Sequence, residues 1–323
     1  MTESHPQLIT RERALAGGLR DPQIAKELRS GSWSPVRPGG YASGIFEFPE
    51  GRHRLQVEAA IGKLNGACDA VVSHASAAVV HGLQVWQLPL DRVHLTRPGR
   101  PGIASTKSIR PHRGQLTDAE ITEVGGFRVT TVARTILDIA RTVPFTQAVV
   151  VADSGLRAGT TKHECVEVLN IANSHRSAGG AARVIAFADG RSESAAESRS
   201  RVLMARHGLP EPRLQVRITG VHGHQVAIVD FDFDTMDTVG ECDGLSKYTR
   251  YLRPGETAAD VVIREKRRED DIRATGRQVV RWIPRELVTP QRILDRFVAA
   301  FARAGFPDWR PEPPPLVLGA HQR

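Results

Sequence analysis

The chain has 323 residues, 40% of them hydrophobic and 25% charged, which is typical of a globular protein with two or three domains. Lysine and arginine number 44 against 36 acidic residues, and the net charge of +8 suits a polyanionic partner such as nucleic acid. The sequence has no apolar signal segment and no apolar run of 18 residues, so we expect no membrane span. Its three cysteines are scattered without a CxxC pair, which argues against a zinc site or a disulfide framework and favours a cytoplasmic location.

Residues 1–45 have the pattern of a winged helix-turn-helix. Thr10 can cap a short helix that Gly17-Gly18 ends, and Asp21 can cap a second helix. Pro38-Gly39-Gly40 then predicts a hairpin, and a second helix followed by a hairpin is typical of winged DNA-binding modules. The alternative is a small helical domain with ordinary surface charge. The side chains expected to contact DNA are Arg20, Gln23, Lys26, Arg29 and Arg37.

Residues 46–190 are predicted to form a mixed α/β region. The apolar spacing predicts helices over 53–63, 71–81 and 145–156, a strand over 93–96, and a strand running into a helix over 129–141. The histidines of this region are not spaced as a ligand set, and structural roles are favoured for them: His74, His81, His94 and His112.

A basic stretch without any acidic residue runs from position 92 to position 113. Its prolines and glycines are interleaved with Arg92, Arg97, Arg100, Lys107, Arg110 and Arg113. Two interpretations remain open, a loop lying along phosphates or a solvated hairpin tip.

Gly179-Gly180 and the polar run 189–194 indicate a boundary before a third domain over 191–308. Hydrophobic periodicity predicts the order helix, three strands, helix, strand, helix. Residues 309–323 form a proline-rich tail that cannot pack as a helix.

Acidic residues interrupt two neighbouring apolar strands of this third domain. Asp230 lies in the strand 226–233, and Glu241 lies in the strand 238–243 beside the Cys242 carbonyl. Buried acids are costly unless they are paired or bind a metal. Two carboxylates and a carbonyl can hold Mg²⁺ and leave room for a substrate phosphate. The neighbouring acids are expected on the surface: Asp232, Asp234 and Asp237.

The third domain resembles the PD-(D/E)XK nuclease superfamily, in particular the very-short-patch-repair endonucleases. The residues that carry the resemblance are Glu197 in Glu-Ser-Arg-Ser-Arg, Asp230 in Val-Asp-Phe, Glu241-Cys242-Asp243-Gly244, and Glu265-Lys266-Arg267-Arg268 before Val280-Arg281-Trp282. The resemblance implies a Mg²⁺ site formed by Asp230, Glu241 and Glu197, where the metal activates water at a phosphodiester.

The sequence departs from that superfamily at one catalytic position. The lysine usually found two residues after the second acid is replaced by Asp243. Lys247, or Lys266 from the following helix, could supply the positive charge instead. The catalytic set implied by the resemblance is Asp230, Glu241, Asp243 and Lys247.

The first 190 residues resemble actinobacterial AbiEi-type antitoxins of type IV toxin–antitoxin systems. The resemblance rests on the segments 9–19 and 31–41, on Ser73-His74-Ala75-Ser76-Ala77-Ala78 with His81-Gly82-Leu83, and on Val132-Ala133-Arg134-Thr135-Ile136-Leu137-Asp138. It implies a winged helix that binds promoter DNA and represses transcription. It also implies a co-encoded nucleotidyltransferase toxin, which such antitoxins oppose indirectly.

Together these observations predict a multidomain α/β protein. An N-terminal winged helix-turn-helix precedes a mixed α/β middle region and a C-terminal restriction-endonuclease-like α/β domain. Two hypotheses follow: a DNA-binding, antitoxin-like transcriptional regulator that carries a nuclease-like domain, or an active Mg²⁺-dependent DNA endonuclease.

Overall fold

The computed structural model describes residues 7–44, 46, 48–64, 69–98, 105–172, 178–220, 223, 225–243 and 257–312. The chain forms two compact units, Met1–Phe187 and Ala188–Arg323, and each contains both helices and sheet. Lys247, Gly244, Arg100 and most of the proline-rich tail lie outside the described residues.

The first unit begins with two helices and a three-stranded antiparallel sheet of strand order β1-β3-β2. Its elements are β1 (Leu8–Thr10), α1 (Arg11–Ala16), α2 (Asp21–Ser30), β2 (Trp33–Arg37) and β3 (Gly40–Ser43). The Thr10 hydroxyl accepts a hydrogen bond from the Arg13 amide at 3.1 Å, which confirms the predicted cap. Helix α2 begins one residue earlier than expected, with Arg20 as its N-cap, and Gly31 ends it with a left-handed φ of 78°.

The remainder of the first unit is built on a five-stranded mixed sheet of order β6-β5-β4-β8-β7. Its elements are α3 (Pro49–Lys63), β4 (Val71–Val72), α4 (His74–Val80), β5 (Val93–Thr96), β6 (Ile109–His112), β7 (Ile121–Val124), β8 (Phe127–Thr130), α5 (Val132–Ala140), α6 (Phe145–Arg157), α7 (Lys162–Ile171) and α8 (Ala178–Phe187). Its core packs α3 and α4 against the strands through Val57, Val72, Val80, Leu95 and Val129.

Two expectations for this region are wrong, and one of two open interpretations is excluded. The segment 71–81 is a short strand followed by a helix, because both valines at its start pair with β5. Strands β5 and β6 pair in parallel, so they are not the two arms of a hairpin, which excludes the hairpin interpretation of the basic stretch. Gly179-Gly180 lies in the first turn of α8 rather than between domains.

The second unit has the predicted order of helix, three strands, helix, strand and helix. Its elements are α9 (Ala195–Arg206), β9 (Arg213–Thr219), β10 (Gln225–Phe233), β11 (Thr238–Cys242), α10 (Ala258–Ala274), β12 (Gln278–Trp282) and α11 (Gln291–Arg303). The sheet order is β12-β11-β10-β9, with β12 parallel to β11 and the other pairs antiparallel. Aromatic side chains fill the larger of its two cores, including Phe231, Phe233, Trp282, Phe297 and Phe301.

Across the described residues, none of the helices combines the length and the apolar content that crossing a bilayer requires.

Candidate functional site

Helix α2 exposes most of the side chains that the sequence analysis assigned to DNA. Ile24 is buried beneath the helix, whereas Arg20, Lys26 and Arg29 are exposed. Gln23 is also exposed, but its side-chain oxygen accepts a hydrogen bond from the Arg20 amide at 2.8 Å and so stabilises the helix start.

Arg37 differs from these residues because it ends strand β2 and is half-buried. Its Nε atom is buried without a hydrogen-bond partner among the described residues. Arg37 therefore presents less of its charge to solvent than the cations of α2.

The structure brings two of the predicted metal ligands, Glu197 and Asp230, to one place. The Gln215 side chain donates to Glu197 at 3.1 Å and to Asp230 at 3.4 Å. Asp230 also accepts from the Cys242 backbone amide at 2.9 Å. Burial, and next the neighbouring charge of Asp230, raise the pKa of Glu197. Two carboxylates held this close repel each other, and a cation between them would relieve that repulsion.

The Glu241 carboxylate is paired with two arginines. Phe231 pairs with Gly240, so Asp230 and Glu241 occupy the next positions along two neighbouring strands. Both Glu241 oxygens accept from Arg268, at 2.5 and 2.7 Å, and Arg281 lies 3.4 Å away. Within the described residues, Glu197, Asp230 and Glu241 do not form a group whose ligand atoms all lie within 4.8 Å. A cation at Glu241 would have to compete with a bidentate guanidinium.

The remaining predicted catalytic positions have different surroundings. Asp243 forms two hydrogen bonds with Arg281, at 2.7 and 3.0 Å, and Lys247 lies outside the described residues. Asp232, expected on the surface, is 1% exposed and is paired with Arg213 and Arg277. The alternation of its strand gave no indication of these cations, because Arg213 lies in β9 and Arg277 directly before β12.

A cleft of about 620 Å³ lies beside α10 and carries more positive than negative charge. Arg268, which also holds Glu241, is one of its lining residues. The full lining is Val226, Asp260, Ile263, Arg264, Arg267, Arg268 and Asp271.

A cluster of three histidines in the first unit was missed by the sequence analysis. His74 begins α4, His94 lies in β5 and His112 ends β6. One ring nitrogen from each lies within 4.8 Å of the others, so the three do form a possible ligand set. Alternation in β5 and β6 places His94, Thr96 and His112 on one face of the sheet, but only the pairing of β5 with β6 brings them together.

Burial is the main cause of the low basicity of these histidines. Burial, followed by the charge that His112 carries when protonated and by the charge of Arg110, lowers the pKa of His94 to about 3. Burial and Arg110 lower the pKa of His112 to about 4, and burial places the pKa of His74 well below its usual value. The imidazoles are therefore neutral near pH 7.

An ion triad lies beside the histidines. Arg134, which is 6% exposed, donates to Glu120 at 2.7 Å and to Asp138 at 2.9 Å. The second oxygen of Asp138 is buried with no hydrogen-bond partner among the described residues, and it lies 3.9 Å from Nδ1 of His74.

Comparisons with known proteins give relatives without a known role. No family model matches the chain. The uncharacterized proteins MT2308 and Rv2248 of Mycobacterium tuberculosis, from strains CDC 1551 and H37Rv, are each 29% identical to it over 217 residues. Each alignment covers 62% of this chain and 77% of the relative.

A solved structure, that of the RV2827C protein from Mycobacterium tuberculosis, aligns with a TM-score of 0.37 at 16% identity. The alignment covers 61% of this chain and 76% of that chain. A likeness at this level carries no structural argument.

Proposed function

We propose that the protein is a DNA-binding regulator whose first unit contacts DNA through α2 and whose second unit has a nuclease-type fold. The observation that carries the proposal is the cationic surface of α2, formed by Arg20, Lys26 and Arg29 over a buried Ile24. A recognition helix needs an exposed polar face and an anchored apolar face, so that it can enter the major groove.

The connection around α2 also supports a helix-turn-helix. Residues 17–20 join α1 to α2, a four-residue turn that contains Gly17-Gly18. Strand β1, before the two helices, pairs with β3, the second strand of the hairpin after them. The sheet therefore joins the two ends of the helix pair. An antitoxin-like role with a co-encoded nucleotidyltransferase belongs to the same proposal and rests on the sequence resemblance.

Salt-dependent DNA binding tests this proposal. Fluorescence anisotropy would measure the affinity of the full chain for a random duplex pool across a salt series. The negative slope of log K against log salt should become shallower by about 2 in Lys26→Ala/Arg29→Ala, because each lost phosphate contact accounts for about 0.9.

The matched control is Arg128→Ala/Arg183→Ala, which removes two exposed charges elsewhere in the same unit. If both double variants lose affinity equally, the binding is a nonspecific effect of net charge and the α2 assignment is overturned.

The alternative function is a Mg²⁺-dependent endonuclease, and the convergence of Glu197 and Asp230 on Gln215 favours it. Glu241 would complete that site only after exchanging Arg268 for the metal. Such an exchange would couple metal binding to the basic cleft, since Arg268 also lines the cleft.

Cleavage of supercoiled plasmid with Mg²⁺ or Mn²⁺ separates the two functions. Asp230→Asn should abolish metal-dependent cutting, whereas the exposed Asp295→Asn should leave it unchanged. DNA binding without cutting by the wild type would reject the endonuclease and retain the regulator.

A further inference from the structure

We propose that His74, His94 and His112 bind one transition-metal ion of the Zn²⁺ class in the first unit. The three ligand nitrogens lie within 4.8 Å of one another, and His94 and His74 are 4% and 7% exposed. Neutral imidazole is a preferred ligand of Zn²⁺, Co²⁺ and Ni²⁺.

The facing nitrogens of His94 and His112 are almost correctly placed for a shared ion. Nδ1 of His94 and Nε2 of His112 are 3.0 Å apart. Two nitrogens on one tetrahedral zinc lie about 3.3 Å apart when each Zn–N bond is about 2.05 Å. A small separation of the rings would convert this hydrogen bond into two metal bonds, provided that the bridging proton moves to the other nitrogen of its own ring, so that both imidazoles stay neutral.

The contacts of His74 determine which of its two ring nitrogens can bind the ion. Its Nδ1 lies 3.0 Å from the Ser73 hydroxyl and 3.9 Å from Asp138, which leaves Nε2 for the ion. The His74 ring stacks on the His112 ring, with centroids 3.5 Å apart and planes at 17°, so it must turn before both rings can direct a lone pair at one ion. A carboxylate behind the far nitrogen of a metal-bound histidine fixes the ring and raises its basicity. Asp138 would have that positioning role, and it still has one unpartnered oxygen among the described residues.

The backbone conformation of His74 also indicates a functional role for the cluster. The backbone of His74 has a positive φ of 52°, an uncommon conformation for a residue with a side chain. Strain of this kind tends to persist at functional sites.

Nearby positive charges do not exclude the cation. Arg134 is offset by Glu120 and Asp138, Arg92 is paired with Asp91, and Arg110 lies on an exposed position of β6. The second Asp138 oxygen, unpartnered among the described residues, lies 3.9 Å from Nδ1 of His74 and so places a carboxylate oxygen beside the cluster.

The test uses the full chain produced without a polyhistidine tag. The protein is stripped with a chelator, reloaded with excess Zn²⁺ and passed through a desalting column, and its zinc is measured by plasma mass spectrometry. We expect one tightly retained zinc per chain in the wild type and none in His112→Gln. His163→Gln should retain it, because this control changes an exposed histidine whose side chain is 81% accessible.

X-ray absorption at the zinc edge gives a result that does not depend on a variant. Scattering from about three imidazoles is expected in the loaded wild type. A wild type that retains no zinc, equal retention by His112→Gln, or sulfur ligands in place of imidazole would each overturn the site.

Discussion

The two units each bury a cluster of charged or polar side chains, and the clusters differ in how completely the protein satisfies them. In the second unit, both oxygens of Glu241 are held by Arg268. In the first unit, Arg134 binds one oxygen of Asp138 and leaves the other without a partner among the described residues. Both Glu241 oxygens are therefore paired with a cation already, whereas, within the described part of the chain, one Asp138 oxygen beside the histidines is not.

The two proposed metal sites therefore differ in what an incoming ion must displace. A hard cation at Asp230 and Glu241 must displace a bidentate arginine, so its binding would depend on a phosphate that takes up the released guanidinium. Among the described residues, the histidine cluster has no arginine to displace, and an ion there would only have to open the hydrogen bond between His94 and His112. A softer ion could bind there in the absence of DNA.

The largest loss of stability is expected for Arg134→Met in the first unit. Glu120 and Asp138 are 3% and 5% exposed and would lose their shared counter-charge. Removing one partner of a buried ion pair costs about 3–5 kcal/mol. Urea unfolding followed by circular dichroism measures the change. The exposed Arg183→Met serves as control and should stay within about 0.5 kcal/mol of the wild type.

Arg268→Met should cost less, about 2–4 kcal/mol, because Arg281 remains 3.4 Å from Glu241. Adding Glu241→Met should restore part of the loss, since no buried charge is then left unpaired. The double-mutant cycle isolates the pair's coupling. Additive losses would show that Glu241 is satisfied by Arg281 and not by Arg268, and the contrast between the two units would then fail.

Helices and strands of the second unit could be predicted almost to the residue. The strand expected over 226–233 spans Gln225–Phe233, and the strand expected over 238–243 spans Thr238–Cys242. Local periodicity and caps suffice for such boundaries. The partners of Glu241 could not be predicted, because Arg268 appears in the sequence only within a run of mixed charge and acquires its role when α10 packs on the sheet.

The histidine cluster shows the same limit in the first unit. His74, His94 and His112 are separated by 20 and 18 positions, and no local period connects them. Pairing of β4 with β5 and of β5 with β6 brings them together. Sequence spacing is informative for ligands on one helix or loop, and it is silent for ligands on three elements.

The smallest effects are expected from enlarging a glycine in each unit. A methyl group on Gly240 would lie 2.9 Å from the Trp282 ring and 3.3 Å from Phe297, and rigid aromatic rings cannot yield without shifting the core. Gly240→Ala should therefore cost about 1–3 kcal/mol.

Gly155→Ala meets two aliphatic side chains instead, Cδ1 of Ile136 at 2.7 Å and Cγ1 of Val132 at 2.9 Å, and alanine gains about 1 kcal/mol over glycine inside helix α6. Its net cost should be smaller than that of Gly240→Ala, and thermal unfolding of the two variants measures the difference. An equal or larger loss for Gly155→Ala would show that the helical core beside the ion triad yields less than the aromatic core beneath Glu241.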